Sequence, residues 1–433
     1  MSVSTRAWSP EALLGALGER GGGRGRAAGA DDAVAGVRPA IVAAPATEEE
    51  VAAVLAFADG EGLKVLVRGG GTQLGLGHRP SGGDILLDTA SLDRVVEHEP
   101  GDMTATAEAG LTLAGFQEAL GRAGQWLALD PALPPATTIG GIVATAASGA
   151  HRLRYGGVRD QIIGVRIVRA DGTIAKGGGK VVKNVAGFDL PKLFTGSLGT
   201  LGVIVAATFR LYPRAASSRT VTVATPDARP FYDLAVRLIA TTLVPSAIDI
   251  TGSTRSAAGA LAVRFEGSEE ACEEQSRALL ALAGSAEGRV IEGDEEALHW
   301  REATAALDAD GQEGTRIELK VSLLPAAVAG WLDTLRDAAN GADLVASWRA
   351  HAGHGLLAVS VVGPAAALPP LVAALREAAT KQRGTLVVTD TPPALLAQID
   401  PWGPSPAMAL MRRVKDQFDP HATLNPGRFV GGI

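Results

Sequence analysis

The chain has 433 residues, 46% apolar and 20% charged, which is ordinary for a globular protein with a large core and more than one domain. A formal net charge of −7 argues against nucleic acid as a partner. The single cysteine, Cys272, excludes an internal disulfide, a CxxC zinc site and an iron–sulfur cluster held by this chain alone. The amino end shows no basic segment followed by an apolar run, and no apolar stretch is long enough to span a bilayer. The expected address is the cytoplasm, with any membrane association made through a partner and not by direct insertion.

Residues 1–37 contain Gly21-Gly22-Gly23 and a small-residue tract, and read as a loosely ordered segment. Order is expected from Arg38-Pro39-Ala40-Ile41-Val42 onward. Thr47 and Glu50 stand at capping-box spacing, with Val51, Val54, Leu55 and Ala58 on one helical face before Gly62. Lys64 to Val67 reads as a short buried strand that runs into Arg68-Gly69-Gly70-Gly71-Thr72. Consecutive glycines at the end of a strand let backbone N–H groups close on a phosphate.

Ile85 to Asp88 and Met103 to Glu108 read as strands, and Leu113 to Leu120 as a helix. A second glycine-rich region, Thr137-Thr138-Ile139-Gly140-Gly141, continues through Thr145 to Ser148-Gly149. A strand over Ile162 to Val168 follows. A third glycine-rich region, Thr195-Gly196-Ser197-Leu198-Gly199-Thr200-Leu201-Gly202, leads into a strand from Val203 to Leu211.

After Pro213 these loops stop and strands alternate with helices. Strands are predicted over 220–224, 262–265, 317–323, 356–362 and 386–389. Helices are predicted over 231–241, 326–339 and 371–379, with another capped by Ser268 and carrying Glu269 and Glu270 in its first turn. Paired β-α-β units with helices on one face predict an α+β fold with a ferredoxin-like antiparallel second domain. The tail from Met408 reads as a short helix followed by Asp419-Pro420 and Asn425-Pro426-Gly427.

A nicotinamide-type site requires G-x-G-x-x-G opening a helix, but Gly75, Gly77, Pro80, Gly82 and Gly83 break the segment after Thr72. A P-loop requires Gly-Lys followed by Ser or Thr, and Gly179-Lys180 is followed by Val181. Three separate glycine-rich turns suit a long ligand contacted at several places, such as a dinucleotide with a pyrophosphate.

Arg68-Gly69-Gly70-Gly71-Thr72, Thr138-Ile139-Gly140-Gly141, Tyr155-Gly156 and Gly196-Ser197-Leu198-Gly199-Thr200-Leu201-Gly202 resemble, in order, the motifs of the vanillyl-alcohol-oxidase-type (PCMH-type) FAD-binding domain. The Phe418-Asp419-Pro420 and Asn425-Pro426-Gly427 tail is similar to that of its FAD-linked oxidases. Lys183-Asn184-Val185-Ala186-Gly187-Phe188-Asp189-Leu190 narrows the resemblance to glycolate oxidase FAD-binding subunits of the E type. The resemblance implies a two-subdomain FAD-binding domain over 38–213, a ferredoxin-like cap over 214–405, and a segment, 406–433, returning to the FAD domain.

It further implies that Arg68, Gly69, Gly70, Gly71 and Thr72 hold the pyrophosphate through backbone N–H groups. Thr138, Gly140, Gly141, Thr145 and Gly149 would line the ribityl and pyrophosphate path, and Gly199, Gly202 and Val203 would approach the ring or adenine. Covalent relatives place a His just after the first glycines; Thr72 stands here, and the second loop lacks a Cys, so non-covalent FAD is expected.

Relatives that oxidise 2-hydroxy acids carry two histidines in a segment resembling H-A-G-D-G-N-L-H, and a later E-H-G. This chain reads His351-Ala352-Gly353-His354-Gly355-Leu356-Leu357-Ala358 and has no later E-H-G. No metal site is therefore expected, and His351 is the candidate catalytic group near the flavin.

The resemblance implies a complex with a catalytic D-type flavin subunit and an iron–sulfur F-type subunit, oxidising glycolate to glyoxylate, and the missing second histidine and E-H-G place the main hydroxy-acid site outside this chain as an expectation. The alternatives are a self-sufficient FAD-dependent 2-hydroxy-acid or alcohol dehydrogenase, with His351 or His354 as base, and a non-catalytic scaffold subunit that retains FAD. Lys176, Lys180 and Lys183 read as a solvated face, Asp189 as a helix cap, and Arg68 as either a cradle residue or a surface charge.

Overall fold

The computed structural model describes residues 8–180, 187–284, 288–303, 307 and 313–433, which leaves Lys183 to Ala186 outside the described residues. The first layer contains α1 (Pro10–Glu19), β1 (Arg24–Ala27), β2 (Ile41–Ala44), α2 (Glu48–Gly60), β3 (Val65–Arg68) and β4 (Ile85–Asp88). Its sheet has the order β1-β2-β4-β3, with β4 parallel to both β2 and β3 and β1 antiparallel at the edge. Thr47 caps α2 by accepting from the Glu50 N–H, while Glu50 reaches the Ala46 N–H.

Order begins well before Arg38, against the expectation of a loose segment. Ser9 caps α1, Leu13 and Leu17 are buried with Val51, Val54 and Leu55, and β1 pairs with β2. Two apolar anchors and one strand edge bind a segment whose composition alone suggested none of this.

The second layer runs through β5 (Val95–Glu99), β6 (Thr104–Glu108), α3 (Leu113–Gly121), β7 (Gln125–Trp126), α4 (Ile139–Thr145), α5 (Arg152–Tyr155), α6 (Val158–Gln161), β8 (Ile162–Val168), β9 (Ile174–Gly178), α7 (Leu190–Phe194), β10 (Val203–Arg210) and β11 (Tyr212–Pro213). Five strands form an antiparallel sheet, β5-β6-β10-β8-β9, and β7 pairs with β11. Asp189 caps α7, accepting from the Lys192 N–H. Lys180 pairs with Glu97 on the surface.

The cap contains β12 (Ser217–Thr225), α8 (Arg229–Ile239), β13 (Pro245–Ser253), β14 (Ser256–Gly267), α9 (Glu269–Ala283), β15 (Arg289–Glu292), α10 (Gly293–Ala303), β16 (Thr315–Ser322), α11 (Val328–Asn340), β17 (Val345–His351), β18 (Leu356–Gly363), α12 (Leu368–Lys381) and β19 (Thr385–Asp390). The sheet order is β15-β12-β14-β13-β17-β18-β16-β19. Each half is a β-α-β-β-α-β unit, and the two join edge to edge where β13 pairs antiparallel with β17. The expected ferredoxin-like unit thus occurs twice, in one continuous eight-stranded sheet.

Strand side chains alternate between faces, and here the two faces differ in chemistry. Ile317, Leu319, Val321, Ala346, Trp348, Ala350, Val359 and Val361 point to one side and are buried with Trp331, Leu335 and Leu375 of α11 and α12. The opposite side carries Asp249, Arg349, His351, Ser360, Glu318 and Lys320. The polar face is the one turned toward the glycine loops.

Beyond the cap, α13 (Met408–Phe418) leads the chain back to β3. The Val65 N–H donates to the Thr423 carbonyl, and the Asn425 N–H donates to the Val65 carbonyl. The Lys415 ammonium is buried and donates to the Thr200 carbonyl (2.8 Å), the Leu424 carbonyl (3.0 Å) and Asp419 Oδ2 (2.6 Å). Among the described residues no helix is long and apolar enough to cross a membrane.

Removing one partner of a buried ion pair leaves the other charge uncompensated, at a cost of roughly 3–5 kcal/mol. Lys415→Ala is therefore expected to lower unfolding stability by about that amount. Urea unfolding followed by circular dichroism measures it, and a loss under about 1 kcal/mol would contradict the role given to this pair.

Candidate active site at the junction of glycine loops and cap

The first glycine loop leaves the carboxyl end of β3. The Arg68 guanidinium lies 2.7 Å from Asp88 and 3.1 Å from Asp32, so its charge is engaged within the protein and anchors the entry to the loop. Asp32 also accepts from Arg26, and these contacts hold its carboxyl well below the usual carboxylate range. The side chain of Arg68 is thus neither a surface charge nor free to bind an anion. Gly71 has φ +70°, which favours glycine.

A Cβ on Gly70 would overlap the Ala136 carbonyl oxygen, and one on Gly69 would overlap the Thr138 hydroxyl. The first and second loops touch at these two glycines. Thr138 caps α4 and also accepts weakly from the Gly70 N–H (3.4 Å). Thr72 and Thr137 share a hydroxyl–hydroxyl hydrogen bond of 3.1 Å.

The tail ties the first loop to the third. The Val67 N–H donates to Asn425 Oδ1 (3.0 Å), and Asn425 Nδ2 donates to the Leu198 carbonyl (2.6 Å). Arg428 donates to the Leu74 and Leu76 carbonyls, at 2.7 and 2.5 Å. Burial without a carboxylate partner pushes its guanidinium down to about 10.

These pieces line one shared cleft. Arg68, Gly69, Gly70, Gly71, Thr72, Thr138, Gly140, Gly141, Thr145 and Gly199 all line it. Gly149, Gly202 and Val203 do not. A Cβ on Gly149 would strike the Asp130 carbonyl, one on Gly202 would stand 3.1 Å from the Phe194 ring, and Val203 is fully buried. Asn425 and Arg428 line the cleft but were not assigned to it from sequence. The Asn-Pro-Gly motif was visible, whereas its contact with loops more than 200 residues away was not.

A second cavity lies between this cradle and the polar face of the cap. Gly71, Thr72 and Gln73 line one side, and Glu318, Lys320, Arg349 and His351 the other. Residues opposed across the sheet form rows. Lys320, Ala358 and Arg349 make one row; Asp390, Glu318, Ser360 and Ser347 make the next. Ala358 stands where the resemblance would place a second histidine, and its small side chain leaves a gap between two cations.

His351 ends β17 and approaches Asp249, with Nδ1 2.7 Å from Oδ1. Burial opposes its charge, but Asp249 outweighs burial and raises the imidazole pKa. His354 lies with its ring centroid 5.6 Å from that of His351. Burial, then the charges of His351 and Arg152, push His354 down to about 4. Burial pushes Glu318 up to about 7, with the Ser360 hydrogen bond of 2.8 Å in partial opposition. Among the described residues no cluster of three His, Cys, Asp or Glu side chains is arranged to hold a metal ion.

A buried cluster locks the cap to the second loop. His151 Nδ1 is 2.8 Å from Asp130, and Nε2 is 3.8 Å from Glu266 of the cap. The Tyr155 hydroxyl donates to Glu266 (2.9 Å), and Arg154 donates to the Glu266 carbonyl (2.7 Å). Burial opposes the charge on His151, but the two carboxylates raise its pKa to about 9.

A family profile described as an FAD binding domain matches residues 39–178, and one described as the C-terminal domain of FAD linked oxidases matches 214–389 and 402–429. D-2-hydroxyglutarate dehydrogenase of Xanthomonas citri pv. viticola is 28% identical over 90% of this chain and 89% of its own length. Glycolate oxidase subunit GlcD of Bacillus subtilis is 27% identical over 74% of this chain and 72% of its own. D-lactate dehydrogenase of Archaeoglobus fulgidus is 35% identical over 48% and 46%.

Alkyldihydroxyacetonephosphate synthase superposes with a TM-score of 0.70 at 16% identity, over 90% of this chain and 78% of its own. For p-cresol methylhydroxylase the score is 0.69 at 16% identity, over 90% and 89%. The chain belongs to the family of PCMH-type FAD-linked oxidases, and it is an FAD-dependent oxidoreductase.

The residues of the cradle fit that cofactor. Among the described residues the N–H groups of Gly69, Gly71 and Thr72 have no protein acceptor, and the buried Arg428 cation has no carboxylate partner. Free amides and a buried positive charge suit a pyrophosphate. Gly70→Ala is expected to reduce FAD per chain at least tenfold, because the added methyl cannot coexist with the Ala136 carbonyl. Flavin absorbance of the purified protein measures it; full occupancy would refute the fit.

The cap lock predicts a pH dependence. The pKa of His151 rises from an ordinary value of about 6.5 to about 9 in the folded chain. Its stabilisation is complete below pH about 6.5 and is lost as pH rises through about 9. Thermal melts between pH 6.5 and 10 should show stability falling in the wild type and a flatter profile in His151→Asn. Identical slopes would remove His151 from the account.

Proposed function

We propose that the chain oxidises a small 2-hydroxy acid, glycolate to glyoxylate in the first instance, using non-covalently held FAD. When bound, FAD supplies the acceptor for a hydride. The observation that carries this reading is the Lys320–Ala358–Arg349 row, two cations flanking a small side chain in a cavity shared with the cofactor cradle. Such a gap suits a substrate carboxylate. His351, held charged by Asp249 on the same wall, favours negative charge developing nearby. The named hydroxy-acid dehydrogenases among the relatives support the same substrate class. Non-covalent binding is supported by the cleft lining, which contains no His, Cys or Tyr.

Electrons must then leave the flavin. Cys272, the single cysteine, is buried in the cap with its sulfur 3.6 Å from the Ser217 and Phe265 carbonyls. A partner carrying an iron–sulfur cluster, the F-type subunit, is the proposed outlet, with a D-type flavin subunit in the same complex. The second reading is a self-sufficient dehydrogenase. It is favoured by one observation: both walls of the cavity come from this chain.

The test is anaerobic addition of glycolate or D-lactate to the isolated, FAD-loaded chain. Bleaching of the flavin is the expected result and places the hydroxy-acid site in this chain. An unchanged spectrum would move that site to the partner subunit. Co-purification of the native protein identifies the partner.

A further inference from the structure

We propose that Glu318 is the catalytic base, taking the substrate hydroxyl proton as the carbon-bound hydrogen leaves toward the flavin. The inference rests on the hydroxy-acid reading above and adds the residue that moves the proton. The geometry begins with the rows of the cap sheet. A carboxylate seated between Lys320 and Arg349 has one neighbouring row on each side, about 7 Å away along the strands. One holds His351 and the other Glu318. In a 2-hydroxy acid the hydroxyl is on the carbon next to the carboxylate, so it faces one row or the other.

The His351 row cannot accept the proton readily. Its Nδ1 is committed to Asp249, and the carboxylate favours the charged ring. The Glu318 row can. Among the described residues Glu318 Oε1 accepts from Ser360 alone and no cation is within ion-pair distance, and the side chain faces a cavity whose other wall is Gly71 and Thr72. A carboxyl that titrates near neutrality is matched to accepting and releasing a proton at that pH.

Among the described residues the charged groups around it are Arg316 and Lys320 on its own strand, Asp390 on β19, and Arg349 and His351 on β17. The glycine-loop side presents Gln73 and no titratable group within the cavity lining. Arg316 favours the ionised form of Glu318 and Asp390 opposes it.

The step balances as follows. The O–H bond breaks and its proton goes to the Glu318 carboxylate. The C–H bond breaks and its two electrons leave with the hydrogen as hydride to FAD, the two-electron oxidant. The C=O double bond forms, giving the 2-oxo acid. Release of the proton from Glu318 to water restores the carboxylate.

Three measurements on the FAD-loaded protein test this. Infrared difference titration should show a carboxyl group protonating between pH 6 and 8, and the band should be missing in Glu318→Gln. The rate of anaerobic flavin reduction by glycolate or D-lactate should rise with pH through about 7 in the wild type and fall roughly 100-fold or more in Glu318→Gln. Glu318→Asp should recover part of the rate.

Equal flavin content and circular dichroism in the variants keep the comparison free of folding effects. A Glu318→Gln protein that reduces flavin within about threefold of wild type, against the roughly 100-fold expected of a lost base, overturns the proposal. So does absence of the titrating band. A wild type that no hydroxy acid bleaches overturns the underlying reading instead, and is told apart because the variants are then silent alike.

Discussion

Everything at this site depends on strand alternation in the cap. An antiparallel sheet that covers one face with helices must make that face apolar, and the same pleat sends every second residue the other way. In β16 the sequence Arg316-Ile317-Glu318-Leu319-Lys320-Val321 satisfies both sides at once. Ile317, Leu319 and Val321 enter the core, while Glu318 and Lys320 face the cofactor cradle. A one-residue slip in register would bury two charges and turn the cavity wall apolar. Fold stability and the chemistry of the pocket therefore constrain the same strand.

The two ends of the site solve different problems. The cradle is made from backbone, with glycines where loops come too close for side chains and free N–H groups that fit a phosphate. The cap wall is made from side chains, whose charges the sheet sets at regular spacing. Between them lies the lock of His151, Asp130 and Glu266, a buried ionic cluster in which each charge tolerates burial only because of the others. That cluster holds backbone and side-chain halves in fixed relation.

Much of the fold could be read in the sequence because its signals were local. Ile162 to Val168 and Ile85 to Asp88 are strands over their predicted extents, and the Ser268 and Asp189 caps follow from side chains reaching their own helix ends. What escaped was non-local. The strands β13 and β17, which join the two halves of the cap, carry Asp249, Arg349 and His351 among apolar residues, so their hydrophobic runs are short. The segment before Arg38 gave no periodic signal strong enough to outweigh its glycines, yet Leu13, Leu17 and Asp32 are held by residues far along the chain. Arg68 looked available for a phosphate because its partners, Asp32 and Asp88, are distant in sequence.

Asn425 has a consequence of a different kind. Its side chain meets Val67 across 358 positions, and it forms one wall of the cleft proposed for the flavin. The cradle is therefore finished only when a very long loop, containing the whole cap, has closed. Closing such a loop is entropically costly and kinetically late. A cofactor that binds only the closed form shifts that equilibrium by mass action, so flavin concentration becomes a determinant of how much chain matures. The yellow colour of the protein would then report on completion of the entire polypeptide's folding, not on the first domain alone.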